Sequence, residues 1–176
     1  MTDKILFSES QRFKQILIWV LLFSIFLFVS VPVIYGLIKQ MFLGQPFGNK
    51  PISTQGLFVI TIVSVIIPLI PIILFRIMNL ETLIKEEGIY VRFVPFQTKY
   101  KFFSWNELTK CYVRQYSPVG EYGGWGMKGW GNNKALNISG NKGIQLETKD
   151  GNKLLIGTNN PDEITNILKQ SGHWKE

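Results

Sequence analysis

The sequence predicts an α+β membrane protein, with a two-helix transmembrane hairpin followed by a small antiparallel β-domain that ends in one α-helix. Three observations carry this. Ile16 to Ile38 and Gly56 to Phe75 contain no charged residue, and a bilayer core of about 30 Å needs roughly 20 helical residues to cross it. From Leu80 the apolar pattern changes to period two, the mark of half-buried strands. After Gly157 it changes again, to helical spacing behind a cap signal.

Residues 1–15 read as a polar cytoplasmic leader with Lys4, Arg12 and Lys14. A positive start before an apolar run also suits a secretory signal. The apolar part of such a signal is shorter and ends at a small-residue cleavage site, which is missing here. Residues 16–38 are therefore read as an uncleaved first transmembrane helix. Pro32 and Gly36 sit in its last third, and Trp19 and Tyr35 lie near its ends, where amphipathic rings suit the membrane interface. Residues 39–55 hold Gly44, Pro46, Gly48 and Pro51 and read as an external loop. Its Phe42 and Phe47 are placed to dip into the headgroup region. Residues 56–78 form the second helix, where Pro68 and Pro71 each remove a backbone donor and leave carbonyls that need other partners. Neither run carries an ionisable group, which argues against a pump or carrier built from this chain alone.

Charge sets the orientation. The leader holds Lys4, Arg12 and Lys14, and Arg76, Lys85 and Arg92 follow the second helix, against Lys39 and Lys50 in the connection. The positive-inside bias puts both termini in the cytoplasm of an inner, or cell, membrane. The formal net charge is +7. Most of the imbalance lies before residue 81, where Lys4, Arg12, Lys14, Lys39, Lys50 and Arg76 face only Asp3 and Glu9. Basic residues beside a membrane suit anionic headgroups. No basic stripe or nucleic-acid motif accompanies them, so nucleic acid is not an expected partner.

The β-domain is placed at residues 80–172. About 95 residues bury a modest core without staples. Strands are expected in Glu81–Glu87, Ile89–Phe96, Tyr100–Ser104, Lys110–Tyr116, Ala135–Ser139, Gly143–Thr148 and Lys153–Gly157, with Asp150-Gly151 turning the last pair. Asn160 is a cap candidate, Pro161 suits the first helical position, and Glu163 completes a capping-box pattern. Ile164, Ile167 and Leu168 share a helix face, and Gly172 is placed to end the helix.

This order of elements resembles a pleckstrin-homology-like (PH-like) domain, in which a bent seven-stranded antiparallel sheet is closed by a C-terminal helix. The stretch LLIGTNNPDEITNILKQ, Leu154–Gln170, carries most of the likeness. Two helices ahead of such a domain resemble small bacterial membrane proteins of uncharacterised function. The resemblance covers about residues 80–172. It implies binding of phosphoinositides, peptides or proteins. The basic lipid-headgroup motif of eukaryotic members lies between their first two strands. Here that turn reads KEEGIYVR with Glu86 and Glu87 and departs from the pattern.

One segment stands apart, RQYSPVGEYGGWGMKGWGNN, residues 114–133. Gly124 to Gly129 satisfies G-x-G-x-x-G literally, but no strand directly precedes it and no helix follows, as a dinucleotide fingerprint requires. Two readings remain. As a recognition loop, Trp125 and Trp130 offer flat contact area, the currency of binding hot spots. Arg114, Glu121 and Lys128 add charge, and Tyr116 and Tyr122 add ring surface. As a structural cap, the segment folds back and buries its rings. The first predicts a visible apolar patch, the second buried indoles.

No catalytic or metal constellation is expected. Ser104, Ser117 and Ser139 lack a triad partner, because the one histidine, His173, sits at the frayed end of the last helix. Glu107 and Glu147 read as solvated strand faces. Cys111, the only cysteine, alternates with core positions and reads as a small buried hydrophobe. With one Cys and one His, a structural zinc site lacks its ligands. No cofactor is implied.

The expectation is a non-enzymatic integral membrane protein presenting a PH-like domain at the cytoplasmic face for protein or lipid interaction. Its partners are the bilayer and either another membrane protein or a second copy of itself. The alternative is an accessory subunit of a larger membrane transport or export assembly.

Overall fold

A computed structural model describes residues 4–176. The first three residues of the expected leader lie outside the described residues. The chain divides into two compact units, Lys14–Arg76 and the segment ending at Phe13 together with Ile77–Glu176.

The first unit is a pair of helices, α1 (Ile16–Leu43) and α2 (Thr54–Ile77). Both are long and apolar enough to cross a membrane. At 1.5 Å per residue they span about 42 and 36 Å. α1 runs past the expected end at Ile38 and stops at Gly44, whose φ of 63° is left-handed. The connection is therefore shorter than 39–55. Gln40 pins it, donating to Ile52 O (2.9 Å) and Thr54 Oγ1 (3.1 Å) and accepting from Phe47 N. The Phe47 ring lies against Gly36, where a Cβ would collide with it. Phe47 thus packs on α1, while Phe42 is exposed.

Both helices continue through their prolines. Pro68 cannot donate to Ser64 O, four residues back. The Ser30 hydroxyl of α1 supplies the missing bond at 2.8 Å, and both serines are buried.

The second unit holds nine strands among the described residues, where seven antiparallel ones were expected. The first is β1 (Ile5–Arg12), inside the segment read as a leader. It pairs antiparallel with β2 (Asn79–Lys85), with Arg12 opposite Asn79. β3 (Gly88–Val94) and β4 (Lys101–Ser104) complete an antiparallel sheet in the order β1-β2-β3-β4. The second sheet holds β5 (Leu108–Gln115), β6 (Gly126–Trp130), β7 (Asn133–Asn137), β8 (Lys142–Thr148) and β9 (Lys153–Gly157), in the order β5-β8-β9-β7-β6. β7 and β9 run parallel, so the domain is not wholly antiparallel. A short helix, α3 (Pro118–Tyr122), precedes β6, and α4 (Pro161–Gln170) follows β9.

Leu80, Ile84, Ile89, Val91 and Phe93 of the first sheet and Ile144, Leu146 and Ile156 of the second are fully buried. Each such side chain contributes about 1.5–3 kcal/mol by leaving water. Ile164 and Leu168 on one face of α4 join this core, and α4 packs on β5, β1 and β8.

The start of α4 differs from the expected capping box. The Asn160 side chain makes no capping bond. Its N–H donates to Thr158 Oγ1 (3.0 Å), and that hydroxyl donates to Glu9 Oε2 of β1 (2.6 Å). Glu9 Oε1 also accepts from Asn159 N (2.9 Å), and Gln11 Nε2 donates to Gly157 O (2.8 Å). A buried carboxylate and amide from β1 thus latch the turn between β9 and α4. Both side chains are polar and both point inward, which is why β1 shows no apolar alternation.

The C-terminus is ordered where a frayed end was expected. After Gly172 (φ 72°) the N–H groups of His173 and Trp174 both donate to Leu168 O, an arrangement that satisfies a terminal helix carbonyl. His173 stacks on Trp105, centroids 4.1 Å apart and planes 7° from parallel. Burial and the nearby Lys175 lower its pKa. Lys175 exchanges backbone bonds with Cys111 on β5. Cys111 is fully buried as expected, and Val113 is half-buried.

Candidate functional site

The aromatic segment 114–133 is two elements with opposite fates. Its first half is a strap over the second sheet. Ser117 caps α3, its Oγ accepting from Gly120 N (3.1 Å), and Ser117 N donates to Glu121 Oε1 (2.8 Å). This closed turn brings Tyr122 back beside Tyr116, centroids 6.0 Å apart at 71°. Both rings are buried, packed with Ala135 of β7 and Leu155 of β9.

Arg114 fastens the strap. Its Nη2 donates to Glu121 Oε2 (2.8 Å) and Tyr122 OH (3.1 Å), and its Nε donates to Gln145 Oε1 (2.9 Å). The Arg114 bond holds the Glu121 pKa below the ordinary carboxylate value. Burial works against the Arg114 charge, yet Glu121 outweighs it and raises the guanidinium pKa. Burial raises the phenol pKa of both Tyr116 and Tyr122. Arg114, Tyr116, Glu121 and Tyr122, expected as contact residues, are thus engaged with one another and with the sheet beneath.

The second half is the β6–β7 hairpin, where a loop was expected. Gly126 to Trp130 pairs with Asn137 to Asn133 in strict register, and β6 is the outer strand of its sheet. Gly129 has a φ of 97°, and a Cβ there would run into the backbone of Asn133. Lys153 N donates to Asn132 O (2.6 Å) and ties the hairpin tip to β9. The G-x-G-x-x-G match therefore runs into a strand and a tight turn.

The indoles are not buried. Trp130 is 93% exposed, and Trp125 is 41% exposed with its Nε1 donating to Gly140 O (3.2 Å). Met127 and Lys128 are exposed between them.

Beside the hairpin, a trough opens between β4 of the first sheet and the β6, β7 and β9 strands of the second. It consists of two adjoining cavities of about 260 and 130 Å³, which share Lys101, Lys134 and Leu154. Lys128 lines the larger cavity, Lys153 the smaller one, and no acidic residue lines either. Lys153 is paired with Glu147 at 3.3 Å. Lys101, Lys134 and Lys153 were not expected as site residues. They come from three strands, so no spacing along the chain announces them.

No group of three or more His, Cys, Asp or Glu side chains is placed to hold a metal ion among the described residues. The buried acid Glu9 already accepts two hydrogen bonds in its latch.

A family model described as a family of unknown function, DUF6141, matches residues 2–171. The chain belongs to the DUF6141 family. The DUF6141 match runs from before β1 to just past the end of α4, so it takes in the helix pair and both sheets together. No curated protein matches the chain.

Proposed function

We propose that this DUF6141 protein is a non-enzymatic, multi-pass membrane protein that displays a PH-like β-domain at the cytoplasmic surface as an interaction module. Its contact element is the β6–β7 hairpin. The observation that carries this reading is Trp130, a large indole 93% exposed on a hydrogen-bonded hairpin beside a lysine-lined trough. Large exposed aromatics held rigidly are typical binding anchors.

Topology supports the membrane part. β1 leads into α1 and β2 leaves α2, and the two strands are paired with Arg12 opposite Asn79. The chain before the helices and the chain after them therefore belong to one folded domain, which requires an even number of crossings. The Lys and Arg bias then selects the cytoplasm for that domain. The PH-like reading draws on the four-stranded meander, the second sheet and the closing helix α4. Against the accessory-subunit alternative, the hydroxyls of the polar helix positions are spent within the hairpin, Ser30 Oγ on Ser64 O and Ser64 Oγ on Thr61 O.

The test is photocrosslinking in intact cells. A benzoylphenylalanine replaces Trp130 in one variant and Asp150, an exposed turn residue, in the other. The reading expects crosslinked product from position 130 and none from position 150. Absence of product at position 130, or equal product at both, would sink it.

A further inference from the structure

We infer that the β6–β7 hairpin and the trough beside it form a docking surface for an anionic lipid bilayer, resting on the membrane reading above. Trp130 is the interfacial anchor, and Lys101, Lys128 and Lys134 face the headgroup phosphates.

Charge complementarity chooses the occupant. No acidic residue lines the trough. The sequence contains no Asp or Glu from Tyr122 to Leu146, and none from Val94 to Asn106. These are the segments that carry the hairpin and β4. Lys101, Lys128 and Lys134 are all exposed. An exposed indole on a hairpin that also carries Lys128 and Lys134 suits the headgroup layer, where the ring sits between tails and water and each cation gains from the surface potential.

The tether favours a bilayer over a free ligand. Only Met78 separates α2 from β2, and only Phe13–Gln15 separate β1 from α1. A domain held on such short connections meets lipid headgroups at high effective concentration. An acidic peptide adding to the outer edge of β6 is the weaker fit. Gly126 and Gly129 have φ values of 113° and 97°, outside the extended region, so the outer edge of β6 is a poor template for strand addition.

The experiment uses the full-length chain. Asn132→Cys, at the exposed hairpin tip, is labelled with the environment-sensitive fluorophore NBD. The natural Cys111 is fully buried and stays unlabelled in the folded protein. The labelled protein is placed in nanodiscs of phosphatidylcholine alone and of phosphatidylcholine mixed with phosphatidylglycerol. The expected result is a blue-shifted, brighter emission in the anionic discs only, reversed by salt. Replacing Lys101, Lys128 and Lys134 by Gln lowers docking about five-fold per lysine. These lysines are exposed, so the variant folds.

Identical emission in both kinds of disc, with the protein incorporated, overturns the docking surface and leaves the membrane reading standing. Failure of the chain to co-elute with discs overturns both. A response to soluble polyglutamate in neutral detergent, in place of the response to anionic discs, assigns the trough to an acidic protein and overturns the lipid assignment.

Discussion

Truncating Tyr122 and truncating Trp130 should have opposite consequences, although both are aromatic residues of the same glycine-rich segment. Tyr122 is buried against Tyr116, Ala135 and Leu155, and its hydroxyl accepts from Arg114. Removing a buried aromatic ring costs about 3–5 kcal/mol. Tyr122 lies under a surface strap that can partly collapse, so Tyr122→Ala is placed at about 3 kcal/mol, the low end of that range. At roughly 4 °C or more per kcal/mol for a domain near 100 residues, the Tm falls by at least about 12 °C. Trp130 is 93% exposed and has almost nothing to lose. Trp130→Ala should stay within about 0.5 kcal/mol of the parent, or about 2 °C. The assay is thermal unfolding of the full-length protein in detergent, followed by near-ultraviolet circular dichroism, in which the stacked Trp105 reports on the packing of the β-domain. Equal losses for the two variants, or a larger one for Trp130→Ala, would refute the division of the segment into strap and contact hairpin.

Three further outcomes follow from the same structure. Glu9→Ala removes a carboxylate that accepts from Thr158 Oγ1 and Asn159 N, and should cost about 3 kcal/mol in chemical denaturation. Glu9→Gln, which keeps one acceptor oxygen, should cost less. Cys111 is fully buried and its thiol pKa is pushed up to about 12 by burial, so maleimide at mildly alkaline pH should label it only after denaturation. Arg114 lowers the Glu121 pKa below 4.5, so the contribution of the pair is complete above that pH and fades as pH falls through the folded value. Glu121→Gln should flatten the acid limb of the stability profile. Combining it with Glu81→Gln should flatten it further, because Arg92 and Tyr100 likewise lower the Glu81 pKa.

Much of this fold is legible in the sequence where one residue pattern decides one element. The two charge-free runs and the Asp150-Gly151 turn are of this kind, and so is the α4 face carrying Ile164 and Leu168. β1 escaped because its inward positions after Phe7 are Glu9 and Gln11, and its partner β2 lies across the whole helix pair in sequence. β6 escaped because glycines at positions 126 and 129 carry no strand signal and its one indole, Trp130, is exposed. The parallel pairing of β7 with β9 is a property of two strands together, and alternation within either one is silent about direction. The candidate segment was found by its composition. Its division was not, because the Arg114–Glu121–Tyr122 clamp depends on Gln145 from a different strand. Lys101, Lys134 and Lys153 of the trough were missed for the same reason, since β4, β7 and β9 each contribute one.

The central claim is that β1 and the domain after α2 lie on one side of a membrane that the helix pair crosses twice. Single cysteines at Ser8 in β1, Gln45 in the connection and Asp150 in the β8–β9 turn, all exposed positions, test it with a membrane-impermeant maleimide. The account predicts labelling of Gln45→Cys in intact cells, and of Ser8→Cys and Asp150→Cys only after the membrane is opened. Different behaviour at Ser8 and Asp150, or Gln45 protected along with them, would contradict it.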